Sequence, residues 1–178
     1  MISELSSLSW QIHDHDISLK EANLRFEHIM QVKNYGFWSS LFFASAANTA
    51  FCKLFNGDVG ALLCVFMGTA AGFITRYILH KYKIDIRAMY IIVSFISSFV
   101  AYIGVHFGIT STPEIAVGLS ILYLIPGVQI INALCDLLHE YTLMALSRGV
   151  NMAIFLICIA VGAYLTLSIA QVNVIKVQ

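Results

Sequence analysis

The sequence predicts an all-α protein, a polytopic bundle of transmembrane helices. Its 178 residues are 59% hydrophobic and 11% charged, whereas soluble domains are about 25% charged. Residues 36–75 contain only two charged side chains, and residues 149–178 contain one. Apolar runs of this length exceed the roughly 18–20 residues that cross a bilayer core. They do not alternate as barrel strands do, and lipid offers the backbone no other partners, so the spans must be helices.

The segment before the first apolar run, SLKEANLRFEHIMQVK at residues 18–33, predicts an amphipathic helix. Ser18 and Glu21 fit a capping box, in which each side chain satisfies a free backbone N–H of the other residue. Apolar residues recur at helical spacing, with charges on the opposite face. This helix is either a lead-in to the first span or a surface that rests on the membrane or on a partner. We assign residues 1–35 to a cytoplasmic lead-in.

Five transmembrane spans are predicted, at about residues 37–55, 59–79, 87–109, 115–138 and 150–171. The fourth contains Pro126-Gly127. Proline removes a backbone donor and clashes with the preceding turn, and glycine permits unusual dihedrals. We therefore expect this span to be broken there into two half-helices. The transmembrane domain covers residues 36–172, and residues 173–178 form an external tail.

The distribution of lysine and arginine predicts the orientation. The connection between the second and third spans carries the strongest basic cluster, formed by Arg76, Lys81, Lys83 and Arg87. Such clusters face the cytoplasm. An odd number of spans then gives a multi-pass protein of the inner (cytoplasmic) membrane, with the N-terminus inside and the C-terminus outside. Arg76 and Arg148 can extend to the cytoplasmic surface, and we expect them to be anchors.

Polar residues form a stripe on the second half of the broken span. Gln129, Asn132 and Asp136 follow i, i+3, i+7 spacing, and His139 continues it; at 3.6 residues per turn they lie within roughly an 80° arc. The stripe starts at a helix N-terminus, whose free N–H groups favour anions, and discontinuous helices are a recurring transporter device. A structural kink with a wet cytoplasmic face is the alternative. Asn48, in the first span, either bonds a neighbouring helix or belongs to a site.

The sequence predicts no cofactor, no metal site and no enzyme. The four cysteines are isolated from one another, and lone buried thiols are usually small core residues. The alternating His13–Asp16 run does not suit ligation from a helix. There is no paired set of catalytic carboxylates, and no basic patch indicates nucleic acid.

Three segments, in this order, resemble the first half of the threonine/serine exporter family. They are ISLKEANLRFEHI, then ASAANTAFCKLFNGD with LLCVFMGTAAGF, and then LIPGVQIINALCDLLHEYTLMALSRG. The resemblance covers roughly residues 8–170. Its most specific part is Pro126-Gly127 followed nine residues later by Asp136.

The resemblance implies a secondary exporter of small carboxylate-bearing metabolites, driven by the proton gradient. Members occur as one fused chain or as two membrane subunits, and the substrate is threonine or serine, or a dicarboxylate such as succinate. Little precedes Ser18 here, and the chain ends after five predicted spans. We therefore expect one half of an exporter, shortened at its N-terminus and inactive without a second multi-span subunit. Stoichiometry, including any larger oligomer, stays open.

The predicted site combines the break and the stripe. Backbone N–H groups around Gly127 and Val128 receive a substrate carboxylate, and Gln129 and Asn132 hydrogen-bond the rest of the substrate. Asp136, whose protonation burial would favour, takes and releases the coupling proton. Weaker candidates for lining the route are Asn48 and Asp58. The alternative function is a non-transporting membrane scaffold that stabilises a partner protein.

Overall fold

A computed structural model describes residues 8–10, 12, 19–31 and 36–177, and in this part of the chain it contains helices and no strands. The chain divides into two compact units, Met1–Phe37 and Trp38–Gln178. The first unit contains α1 (Leu19–Gln31), on which Arg25 forms an exposed ion pair with Glu21 one turn earlier. The all-α prediction is confirmed. Ser18 and the His13–Asp16 run lie outside the described residues.

Six further α-helices and one 3₁₀ turn follow in chain order. They are α2 (Phe37–Leu54), α3 (Val59–Lys81), α4 (Ile86–His106), α5 (Pro113–Leu119), the 3₁₀ turn Leu122–Leu124, α6 (Gly127–Leu138) and α7 (Thr142–Val177). Of these, α3, α4 and residues 142–170 of α7 are long and apolar enough to cross a membrane. The protein is therefore a multi-pass membrane protein with at least three candidate spans.

A fourth candidate span is a bent pair of helical segments. Residues 113–124 and 127–138 meet at an angle of 64°. The pair has the length and composition of one broken span or of a re-entrant loop. Its first α-helix already ends at Leu119, before Pro126. The 18-residue helix α2 is not a candidate by these measures, because Asn48, Lys53 and several serines lower its mean hydropathy.

The central helix of the described bundle is α4, which packs against α3, α5 and α7. One face of α4 carries Ser94, Ser97 and Ser98, all fully buried. The Ser94 hydroxyl donates to the Ile159 carbonyl at 2.7 Å, and the Ser98 hydroxyl lies 2.7 Å from that of Thr166. Buried hydroxyls are costly unless they are bonded, so these bonds fix α7 against α4.

Glycines allow the helices to approach closely. A Cβ atom at Gly68 of α3 would lie 2.7 Å from the Ser97 carbonyl oxygen, and one at Gly72 would overlap the Ser97 side chain and the Tyr123 hydroxyl. Small residues have this role in membranes, where no hydrophobic effect drives helices together. Gly68 and Gly72, four residues apart on α3, therefore let α3 pack closely against α4.

A three-residue turn joins α6 to α7 as an antiparallel hairpin. The N–H of Tyr141 donates to the Asp136 carbonyl at 2.9 Å, and the N–H of Glu140 donates to the Leu137 carbonyl at 3.2 Å. This is the Schellman pattern, which needs a left-handed residue after the helix. Glu140 fills that position with φ of 64°. Because the turn is so short, α7 begins at Thr142, eight residues before the predicted span start at 150.

Candidate functional site

The interruption before α6 leaves a helix N-terminus that no side chain of the described residues caps. Pro126 is the residue before the helix, and the N–H of Gly127 donates to the Ile125 carbonyl at 2.8 Å. The predicted role of Gly127 as an N–H donor thus competes with this internal bond. Val128, the next residue, has a 73% exposed side chain. Its N–H and that of Gln129 belong to the first turn, where helical N–H groups lack helical partners.

A polar cavity of about 520 Å³ lies between α6 and α7. Gln129 and Asn132 line it from α6, and Arg148, Asn151 and Phe155 line it from α7. The i, i+3 spacing of Gln129 and Asn132 puts both amides on the face of α6 that meets α7. Both amide side chains are exposed in the chain alone, as is that of Asn151. The cavity therefore presents amide groups and one guanidinium to a ligand or to a second subunit.

Asp136 pairs with Arg148 near the hairpin turn. A guanidinium nitrogen of Arg148 lies 2.5 Å from Oδ2 of Asp136, and the two side chains are 48% and 20% exposed respectively. Oδ2 is buried and receives no hydrogen bond from the part of the chain that the structure describes, so its contact with Arg148 is an ion pair. Burying a carboxylate is costly without an opposite charge, and Arg148 supplies that charge. Arg148 is therefore more than the membrane anchor we expected.

His139, the last residue of the predicted polar stripe, is not among the described residues that line this cavity. His139 is exposed, and its Nδ1 lies 2.7 Å from the Cys135 carbonyl oxygen. It is the capping residue at the end of α6. His139 therefore contributes to the turn.

Asn48 lies elsewhere. It is 3% exposed, and its amide nitrogen donates to the Thr69 hydroxyl at 2.6 Å and to the Leu119 carbonyl at 2.9 Å. These bonds tie α2 to α3 and to the end of α5. The structure does not bring Asn48 together with Gln129 and Asn132, and its geometry is that of a bonded residue between helices.

Asp58 binds a loop. Its carboxylate accepts hydrogen bonds from the hydroxyls of Thr110 and Thr112 and from the backbone N–H groups of Ser111 and Ala61. The Thr110 and Thr112 hydroxyls, with smaller contributions from the two N–H groups, hold the pKa of the Asp58 carboxyl well below its usual range, although burial opposes them. Asp58 caps α3 and fastens residues 110–112 to it.

Sequence reasoning missed the α7 side of the cavity. Arg148, Asn151 and Phe155 repeat the i, i+3, i+7 spacing of the α6 stripe. That repetition was the available signal. Because a charged residue so close to a span is also typical of an interfacial anchor, the pattern alone does not identify the partner of Asp136.

A model of the family described as "Putative threonine/serine exporter" matches residues 1–170. The chain belongs to the threonine/serine exporter family. The resemblance carried by the Pro-Gly segment is thereby confirmed. The family is one of membrane transporters and is not an enzyme class.

Two curated relatives are similar to this member of the family, and each is named "Probable succinate transporter subunit YjjP". The protein from Klebsiella aerogenes is 24% identical over 154 residues, which is 85% of this chain and 59% of the relative. The protein from Escherichia coli K12 is 25% identical over 171 residues, which is 95% of this chain and 66% of the relative. The chain thus spans less than two thirds of either relative. No solved structure matches it significantly.

Proposed function

We propose that this chain is the membrane subunit, a half-transporter, of a secondary exporter for small carboxylate-bearing metabolites. The observation that carries the proposal is the polar cavity, in which Gln129 and Asn132 of α6 face Arg148 and Asn151 of α7. Ligand sites combine a concave surface with a few convergent polar groups. Family membership and two relatives named as transporter subunits support the same conclusion.

Carboxylate recognition is the chemistry that these groups provide. A guanidinium binds a carboxylate through two parallel hydrogen bonds, and Arg148 lies in the cavity. The uncapped first turn of α6, at Val128 and Gln129, adds N–H donors and the positive end of a helix dipole. The amides of Asn132 and Asn151 hydrogen-bond the rest of the substrate. Threonine, serine and succinate all carry the required carboxylate.

Asp136 is the group that we propose for proton coupling. Its carboxylate contacts Arg148, and ionisable groups in such positions mark proton and substrate pathways in membranes. The negative charge of the Asp136 carboxylate can be neutralised either by the guanidinium of Arg148 or by a bound proton. One carboxylate can therefore carry the coupling proton in one half of the transport cycle and bind Arg148 in the other.

The topology that we propose has five crossings. In addition to the three long apolar helices, α2 crosses once and the bent pair forms one broken span. The basic residues around the α3–α4 connection then lie in the cytoplasm, with the N-terminus inside and the C-terminus outside. A second multi-span subunit of the family, with the opposite orientation, would complete an inverted pair. Reporter fusions at residues 83, 111 and 178 test this arrangement, and a cytoplasmic reporter signal at 178 would contradict it.

The transport assay uses vesicles that contain this chain and its partner subunit. Counterflow of labelled threonine, serine and succinate identifies the substrate, and flux driven by an imposed pH gradient measures proton coupling. Asp136→Asn should abolish the gradient-driven flux, whereas Glu114→Gln, which neutralises an exposed carboxylate on α5, should not. Unchanged gradient-driven export by Asp136→Asn would show that Asp136 has no proton role.

The competing function is a scaffold that stabilises a partner membrane protein without moving a substrate. In that case the partner subunit alone would transport the substrate. Removing this chain would change the abundance of the partner subunit and leave the partner's transport rate per molecule unchanged. Loss of flux in vesicles that contain a normal amount of partner subunit and a cavity variant, Asn132→Ala, favours the transporter.

A further inference from the structure

Two opposite charges meet at one end of the polar cavity. Among the described residues that line the cavity, Gln129, Asn132 and Asn151 are neutral amides and Arg148 is the charged one. Asp136 contacts Arg148 at 2.5 Å from the α6 side. Among the described residues at this cavity, the ionised side chains that a substrate encounters are therefore this one pair.

We propose that Arg148 and Asp136 together determine which carboxylates the site accepts, an inference that rests on the proposed function. When Arg148 turns to a substrate carboxylate, Asp136 loses its partner. A partly buried carboxylate without an opposite charge is costly. Binding is therefore favourable only if the substrate brings a positive group to Asp136 or if Asp136 is neutral.

A zwitterion satisfies both residues. The carboxylate of an α-amino acid binds Arg148 and its ammonium group binds Asp136, so one ion pair is exchanged for two. A dicarboxylate brings a second negative charge towards an unpaired Asp136, and like charges at short range repel. A volume of about 520 Å³ accommodates either molecule. Charge, and not size, is therefore the basis of discrimination, and Asp136 disfavours dicarboxylates while its carboxyl group is ionised.

The test compares the two substrates in counterflow, which needs no proton gradient. Vesicles carry the partner subunit with wild-type chain, Asp136→Asn, Asp136→Glu or the control Glu114→Gln, and labelled threonine and succinate are measured side by side. Asp136→Asn should raise the ratio of succinate flux to threonine flux about tenfold or more, because it removes one charge-assisted bond to the threonine ammonium group. Asp136→Glu and Glu114→Gln should keep the wild-type ratio. An unchanged ratio in Asp136→Asn would overturn the inference.

Arg148 needs a double variant, because Arg148→Gln alone leaves Asp136 unpaired and is expected to destabilise the fold. Asp136→Asn combined with Arg148→Gln removes both charges and leaves no unpaired group. This pair should fold and should lose counterflow of both substrates relative to Asp136→Asn alone. Arg148→Lys keeps the charge without the planar fork, and should retain part of the flux. Wild-type flux in the double variant would exclude Arg148 as the carboxylate-binding residue.

The outcomes distinguish a failure of the proposed transport function from a failure of the selectivity role of Asp136. Wild-type vesicles that move neither substrate would overturn the proposed function itself. Wild-type transport with an unaltered ratio in Asp136→Asn would overturn only the selectivity role. If wild-type vesicles move only one of the two substrates, inhibition of that flux by the other, unlabelled substrate gives the ratio of their affinities. Asp136→Asn should shift that ratio towards succinate.

Discussion

Polar side chains lie on apolar helices in two regions of this molecule, and the two regions differ in how those side chains are bonded. In the packed region around α4, Ser94 and Ser98 are fully buried, and each bonds α7. In the α6–α7 hairpin, Gln129 and Asn132 are exposed to an open cavity. A polar residue in an apolar helix is therefore not by itself a sign of a binding site. It indicates one when its partner is not supplied by the neighbouring helix.

The largest expected effect comes from one substitution at two places on α7. A Cβ atom at Gly162 would meet the backbone of α4, at 2.9 Å from the Phe95 nitrogen, whereas one at Gly149 would meet no atom of the described residues within 4 Å. Gly162→Ala should therefore destabilise the protein by about 1–3 kcal/mol or more. Gly149→Ala should stabilise it by about 0.5–1 kcal/mol, because glycine is a poor helix former. Thermal unfolding in detergent measures both, and equal midpoints would contradict the contrast between the regions.

A second pair of variants compares two asparagines. Asn48→Ala removes the donor to Thr69 and leaves the Leu119 carbonyl without that bond, which should cost about 1–3 kcal/mol. Asn132→Ala changes a side chain exposed to the cavity and should leave the unfolding midpoint nearly unchanged. We expect the opposite order for transport per folded molecule, in which Asn132→Ala has the larger effect. An Asn48→Ala protein of normal stability would show that its bonds do not hold α2 in place.

The loop held by Asp58 differs from both regions because its stability should depend on pH. The pKa of the Asp58 carboxyl is lowered in the folded protein, first by the Thr110 hydroxyl. Its stabilising contribution is therefore fully present above the unfolded pKa of about 4 and is lost as the pH falls further. Hydrogen exchange of the Ser111 amide should accelerate, relative to its intrinsic rate, as the pH is lowered from 5 towards 2. Asp58→Asn should show weak protection already at pH 5, and equal protection in the variant would contradict the assignment.

The smallest expected effect is at the hairpin turn. Glu140 has φ of 64°, a left-handed conformation that costs residues with a Cβ about 1–2 kcal/mol. Glu140→Gly should therefore raise stability by up to about 1 kcal/mol, after the entropy that glycine adds to the unfolded chain. Glu140→Ala keeps the Cβ atom and should give no gain. A gain of the same size in both variants would assign the effect to the charge of Glu140.

Local features of the fold and the site could be predicted from the sequence. The helical class follows from the length of the apolar runs, and the alignment of Gln129, Asn132 and Asp136 follows from the 3.6-residue period. Both are read within one segment. The break near Pro126 follows from the chemistry of one residue. The chain does leave regular α-helix earlier, at Ser120, for which no sequence pattern is evident.

The rest depended on contacts between segments. That Arg148 meets Asp136 follows from the turn at residues 139–141, which brings two helices together in antiparallel order. Hydropathy placed the start of the last span at residue 150, because it responds to polarity and not to helix continuity. The helix begins earlier, at Thr142, and runs through polar residues before it reaches residue 150. The role of Asn48 depended equally on which helices lie beside it.

The closed turn between α6 and α7 limits how the cavity can change shape. Two backbone hydrogen bonds lock Glu140 and Tyr141 onto the end of α6, so the two helices cannot separate at that end. Any widening of the cavity must occur at its far end, near Gly127 and Phe155. There the chain enters α6 through the irregular residues 120–126. If the cavity is exposed alternately to the two sides of a bilayer, the hairpin would then have to tilt as a rigid body. Asp136 and Arg148, near the turn, would move least, and the amide groups farther from the turn would move most.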